Sequence, residues 1–322
     1  MSAGQFKLLA TAATLTSVVA FPVRRALLRA QVLDVPNHRS SHRVPVPRGG
    51  GLAPALGVVA AGALTKTRPS PSACLAIGAL GALGLADDAT GHLPAPVRLA
   101  GQLAAGTALG GTGWDRLLSA VATAGIVNVT NFMDGINGIS SLTGLIWGLN
   151  AQTWDHSGDL SIIGALVSGG SAGFLPHNAP WARLFLGDVG SYAMGGAFAA
   201  GVLSRPTLLE RQQAAAPLLL YGLDATQALI RRYRTNQPLG VAHRDHVYQQ
   251  LVDAGLDHMS VALFHATCAA GIASAHRLPT RCAVPAVISV GAIYLAAPRL
   301  HRRLRRAESK EKTPINESQV GQ

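Results

Sequence analysis

Charge is what this sequence has least of. Only 13% of its 322 residues are Asp, Glu, Lys or Arg, about half the share that soluble globular chains carry. Aromatic residues do not fill the deficit, at 5%; apolar residues do, at 48%, with 36 glycines beside them. That balance argues against a soluble domain and suits packed membrane helices, where small residues let backbones approach. Cysteine is scarce as well. Cys74, Cys268 and Cys282 stand apart without a C-x-x-C, so neither a zinc site nor a disulfide framework is indicated, and they read as small apolar packing residues. Acidic residues are outnumbered, giving a net charge of +11. Lys and Arg nevertheless fall in short patches between apolar stretches and in the tail from Arg299 to Lys312. No basic face is visible, so nucleic acid is not an expected partner. The tail reads as a stop-transfer and membrane-surface patch.

What is there is a succession of apolar stretches. A bilayer core takes about 20 helical residues, and candidates run over 3–23, 51–65, 72–86, 97–113, 117–133, 138–150, 160–175, 191–204, 214–230, 258–275 and 282–298. The expected fold is all-α, a polytopic membrane protein of about 10–11 transmembrane helices. One integral-membrane domain over residues 1–300 is expected, followed by a basic, disordered cytoplasmic tail over 301–322. The first stretch reaches Arg24 and Arg25 without a small-residue cleavage site, and reads as a retained span rather than a signal peptide. No internal repeat is apparent, which weighs against transporters built from duplicated halves. With the N-terminus outside, about 19 of the 27 Lys and Arg residues fall on the other side, which the positive-inside bias makes cytoplasmic. Every polar constellation falls on that side too.

The candidate span 72–86 ends in Asp87-Asp88. Adjacent carboxylates at a membrane boundary are costly unless they face water or bind a cation; a pair of helix-end charges and a magnesium or substrate site both remain open. The run Asn128-Val129-Thr130-Asn131-Phe132-Met133-Asp134-Gly135-Ile136-Asn137-Gly138 is more specific. Positions 128, 131 and 134 share about one third of a helix circumference. Interhelical Asn bonding does not account for four such groups beside two glycines, which let a ligand come close. The stretch from Asn178 through Phe185-Leu186-Gly187-Asp188 to Ser191 sets a lone Asp where a helix begins. Amides there suit phosphate oxygens, and Asp188 suits a metal or a helix cap. His243-Arg244-Asp245-His246 occupies the longest inter-span loop and suits a diphosphate or sugar. The first loop, from Asp34 through Arg48-Gly49-Gly50-Gly51, matches no dinucleotide fingerprint or P-loop but suits phosphate or anionic lipid. Arg98 and Gln102 lie one turn apart, able to face one pocket.

Taken in order, D-x-P-N-x-R…GG, D-D, N-x-x-N-x-x-D-G-x-x-G, F-x-G-D-x-G-S and H-R-x-H resemble the polyprenyl-phosphate N-acetylhexosamine-1-phosphate transferases, glycosyl transferase family 4, over roughly residues 1–300. The resemblance implies a magnesium-dependent enzyme, with manganese as an alternative. It implies transfer of a sugar-1-phosphate from a UDP-sugar to undecaprenyl or decaprenyl phosphate at the cytoplasmic membrane face, and it leaves room for a homodimer. It implies Asp87, Asp88, Asp134 and His246 as catalytic residues and Asp188 as the metal ligand. Asn128, Asn131, Asn137, Asn178, Phe185, Arg98, Arg244 and His243 line the substrates, Phe185 stacking on uracil. Asn137 stands where many bacterial members carry Asp, and Tyr248-Gln249 follow His246 where N-acetylglucosamine members carry more histidine. That form looks closer to members using modified N-acetylhexosamines, and unlike the muramyl-pentapeptide branch. A transporter or flippase of a phosphorylated metabolite is the alternative; it would place polar groups near the bilayer midplane.

Overall fold

The computed structural model describes residues 1–36, 44–91, 93–154, 158–238 and 244–311, with side chains as far as Arg305. Its helices are α1 (Ala3–Arg29), α2 (Leu52–Thr65), α3 (Pro71–Thr90), α4 (Ala95–Gly106), α5 (Gly113–Met133), α6 (Ile139–Trp154), α7 (Asp159–Asn178), α8 (Gly187–Leu203), α9 (Leu208–Ala215), α10 (Leu219–Arg234), α11 (Val247–Asp253), α12 (His258–Ala275) and α13 (Thr280–Glu311). Between α1 and α2 two short strands, β1 (Leu33–Asp34) and β2 (Val46–Pro47), pair antiparallel. The architecture is the expected all-helical one with this ribbon added. Among the described residues four helices are long and apolar enough to cross a membrane alone: α1, α3, α7 and α13 as far as Arg305. The other candidate spans fall on shorter or less apolar helices packed among these, and the chain is a multi-pass membrane protein.

Two expectations are corrected. The stretch 214–230 is not one unbroken α-helix: α9 stops at Ala215, a 3-10 turn covers Ala216–Leu218, and α10 starts at Leu219. Pro217, lacking an N–H, interrupts the helical ladder there. The long loop after Arg231 is shorter than it reads, because α10 runs to Arg234 and α11 forms inside it. At the other end α13 passes residue 300 and continues to Glu311.

Small residues set the packing. Along α6 and α7, a Cβ on Gly148 would collide with the Gly164 carbonyl, and along α1 and α7 one on Gly173 would collide with the Ala13 carbonyl. Buried Trp147 and Phe198 fill the space around them, ring centroids 4.8 Å apart. Polar contacts gather at both ends of the bundle. At one, Ser70 N–H donates to Asp159 (2.8 Å) and Arg277 to Thr153 Oγ1 (2.8 Å). At the other gather the last turns of α1, α3 and α5 and the first turn of α8.

Candidate active site

The second strand fixes the first half of this end. Phe185 N–H donates to the Pro47 carbonyl (2.9 Å), Gly50 N–H to that of Phe185 (2.8 Å), and Gly51 N–H to that of Leu186 (2.7 Å). The ribbon is thereby stitched to the start of α8, and Arg48 is delivered between two acids. Its Nε donates to Asp88 Oδ1 at 2.6 Å and its Nη2 to Asp188 Oδ2 at 3.4 Å. Asp88, 6% exposed, also accepts the N–H groups of Asp188 (3.1 Å) and Val189 (2.9 Å). It thus caps α8 from another helix, a carboxylate on the positive end of the dipole. Gly187 adopts φ +72, and a Cβ there would meet Asp88 Oδ2 at 2.6 Å.

Asp87 is buried beside it. It accepts from Leu93 N–H (2.6 Å), Tyr192 O–H (3.2 Å) and Arg98 Nη1 (3.4 Å). Asp188 is more open, its side chain 22% exposed, and its Oδ1 takes the Asn131 amide at 2.7 Å, which also donates to Ser191 (3.0 Å). The structure therefore brings Asp87, Asp88, Asp188, Asn131 and Arg98 together, with Arg48, Ser191 and Tyr192 beside them. Arg48 was legible only as one of several basic loop residues.

Other expected residues take different partners. Asn128 pairs with Gln102 between α4 and α5, donating at 2.6 Å. Arg98 and Gln102 accordingly part company, one turning to Asp87 and the other to Asn128. Asn178 is buried and joins two loops, accepting from Gly138 N–H (2.6 Å) and donating to the Leu184 carbonyl (3.1 Å). Asn137 donates to the Pro180 carbonyl (3.0 Å). Phe185 is partly buried in the loop leading to α8. Arg244 pairs with Asp253 at 2.7 Å, and His243 lies outside the described residues. Asp134, in the turn between α5 and α6, accepts from Ser140 Oγ at 2.6 Å. Its carboxyl is pushed up to about 7, chiefly by desolvation and then by the charges of Asp188 and Asp88, against the Ser140 bond.

His246 is 5% exposed and lies beside the end of α5, its ring 6.5 Å from that of Phe132 and stacked at 5.5 Å on Tyr248. Tyr248 O–H donates to the Phe132 carbonyl at 3.0 Å. Sequence reading missed what holds His246: Asp224 of α10, fully buried, 3.0 Å from its Nδ1. The signal was a lone Asp in an apolar stretch, costly in a membrane unless partnered.

Among the described residues no group of three or more His, Cys, Asp or Glu is arranged to hold a metal ion. The side chains of Asp87 and Asp88 are each 1% exposed and that of Asp188 is 22% exposed, so Asp188 is the acid best placed for one. A single carboxylate, completed by substrate phosphates and water, is a habitual donor set for magnesium, and Asp188 fits it.

Fold and site together define a multi-pass helical membrane protein with an acid-and-arginine centre at one end of its bundle. The family model for glycosyl transferase family 4 matches residues 70–205. The decaprenyl-phosphate N-acetylglucosaminephosphotransferase of Mycobacterium tuberculosis is 31% identical over 311 residues, covering 79% of this chain and 77% of its own. The protein of the same name from Mycolicibacterium smegmatis is 30% identical, covering 79% and 76%. The chain belongs to glycosyl transferase family 4. A phospho-N-acetylmuramoyl-pentapeptide-transferase of Symbiobacterium thermophilum is 38% identical over 98 residues, 29% of each chain. The muramyl-pentapeptide branch, set apart on its histidine-rich loop, is therefore similar locally.

Proposed function

We propose that this chain transfers an N-acetylhexosamine-1-phosphate, of the N-acetylglucosamine class, from a UDP-sugar to a polyprenyl phosphate, releasing UMP as the first step of a cell-envelope polysaccharide. The observation that carries this reading is the position of the Asp188 centre, at the edge of apolar helices, where a water-soluble nucleotide and a lipid phosphate can meet. The names of the relatives support it: their acceptor is decaprenyl phosphate and their sugar N-acetylglucosamine, rather than a modified hexosamine. A transporter would hold its polar groups near the midplane, whereas Asp87, Asp88, Asn131 and Asp188 lie at helix ends.

A phosphate monoester has its second pKa near 6, so the lipid phosphate arrives largely ionised and charge management outweighs base catalysis. Its oxygen attacks the phosphorus bearing the sugar, the P–O bond to UMP breaks, and the lipid keeps a diphosphate-linked sugar. Arg48, between Asp88 and Asp188, offers a guanidinium to the phosphates. Asn131 orients Asp188, and Phe185 is assigned to the uracil face. A divalent cation on Asp188, when bound, supplies Lewis-acid screening of the diphosphate.

The same reading puts the enzyme in the cytoplasmic membrane with this end facing the cytoplasm, and the bias of Lys and Arg toward that side supports it. Membranes containing the protein, given a panel of UDP-sugars with polyprenyl phosphate and magnesium or manganese, should release UMP only with lipid, cation and the cognate sugar together. Release without lipid would refute the transfer.

A further inference from the structure

Behind His246 lies a chain of polar groups that the proposed transfer does not use. Asp224 Oδ1 is 3.0 Å from His246 Nδ1 and its Oδ2 accepts the Tyr294 hydroxyl at 2.7 Å. The Val247 N–H donates to both oxygens, at 2.9 and 3.1 Å. The Tyr294 oxygen is in turn 3.1 Å from His265 Nδ1. Asp224, Tyr294 and His265 are each wholly buried, on α10, α13 and α12. Asp224 accepts at both oxygens, from Val247 N–H and from Tyr294 O–H; as a carboxylate, with no hydrogen to give, it accepts from His246 too when the ring carries its hydrogen on Nδ1. Tyr294 spends its single hydrogen on Asp224, so it accepts from His265, whose hydrogen is on Nδ1. That leaves His265 Nε2 without a hydrogen, and it has no partner among the described residues. As a bare lone pair it costs less there than a buried N–H with no acceptor would.

We propose that Asp224 is a positioning residue for the transfer: with Tyr294 behind it, it fixes the ring plane and the Nδ1–H tautomer of His246 at the end of α5. The physical reason is selectivity between tautomers. Removing the carboxylate's acceptor-only character lets the imidazole turn over or shift its hydrogen to Nε2, which exchanges the donor and acceptor edges of the ring. The Val247 bonds tie the same carboxylate to the first residue of α11, so one group orients both the ring and the loop that carries it. This role rests on His246 working in the proposed transfer, but the tautomer itself does not.

The full-length protein, labelled with ¹⁵N-histidine in nanodiscs and compared with His246→Gln to assign the signal, reads the tautomer directly. Neutral His246 should show hydrogen on Nδ1; hydrogen on Nε2 with a bare Nδ1 would overturn the proposal, whatever reaction the protein catalyses. In Asp224→Asn the signal should move toward the other tautomer. Its kcat for UMP release should fall about 10- to 100-fold with KM for both substrates within about twofold, and Asp224→Glu should recover part of the loss. Tyr294→Phe, which leaves Asp224 in place, should keep the tautomer and lose less activity. An Asp224→Asn protein with unchanged kcat, or one inactive with the Nδ1–H signal intact, would also overturn it. Should wild-type protein release no UMP at all, the proposed transfer fails while the tautomer measurement still stands or falls alone.

Discussion

Arg48 carries more of this site than its place in a basic loop suggests. It is the cation for Asp88, whose side chain is 1% exposed, and it reaches Asp188 as well. Removing one partner of a buried pair leaves the other charge uncompensated, at about 3–5 kcal/mol. Because Arg48 itself is 30% exposed, Arg48→Ala should fall at the low end of that range. It should lower the thermal midpoint of the purified protein and remove UMP release, while Arg48→Lys keeps the fold and loses most activity, since an ammonium cannot reach both acids as a planar fork does. An Arg48→Ala protein with native midpoint and activity would refute the bridging role. Asp134 gives a pH-dependent counterpart. Its folded pKa of about 7 lies above the ordinary 3.8, so between those values the folded chain holds a proton that the unfolded chain has lost. Stability contributed by Asp134 is therefore present at low pH and lost as pH rises through about 7. Asp134→Asn should raise the midpoint at alkaline pH and change it little below pH 4; an equal shift at both would show that charge is not the cause.

Between elements, the contact of α3 with α8 decides where Asp188 sits. A Cβ on Gly84 would run into the Asp188 carbonyl, whereas one on Gly78, two turns earlier on the same helix, meets nothing within 4 Å. Gly84→Ala should therefore push α8 away, lowering both midpoint and kcat, while Gly78→Ala should be neutral or slightly stabilising. Equal effects would mean that the helix pair is loose. This scale also shows what was legible in the sequence. Asp87, Asp88, Asn131 and Asp188 stood out because polar groups beside apolar runs are expensive. Their ordered spacing carried the family resemblance before any contact was known. Asp224 did not stand out, because one acid within an apolar stretch has no spacing to match and its partner His246 is 22 residues away. The break at Pro217 and the short helix before it carried signals that went unread. Thr207 and Glu210 form a capping box, the pattern that opens a helix. Asn128 and Asn178 looked like ligand groups but take partners across the fold, a choice that only tertiary packing settles.

For the whole molecule, the two polar ends make a topology that the native cysteines can report. Cys74 opens α3, whose far end holds Asp87 and Asp88, and Cys282 opens α13; both are exposed, whereas Cys268 is buried. α12 begins beside Asn137, whose N–H donates to His258 Nδ1 at 3.3 Å. It ends near Arg277, whose partner Thr153 closes α6, so Cys74 and Cys282 share the end remote from Asp188. Trp181, 83% exposed in the loop before α8, marks the other end. The proposed orientation, argued from the arginine distribution, turns the Asp188 end toward the cytoplasm, where the proposed nucleotide donor would reach it. A membrane-impermeant maleimide added to intact cells should then label Cys74 and Cys282 but not Cys268. In a variant with both exposed cysteines replaced by serine, Trp181→Cys should label only after permeabilisation. Fusions ending within 66–71 or 151–159 should report outside, and those within 89–96 or 234–257 inside. Labelling of Trp181→Cys in intact cells would turn the molecule over and put Asp188 where no cytoplasmic UDP-sugar reaches it. The contacts around Asp188 and His246 would stand, and the proposed transfer would have to be abandoned.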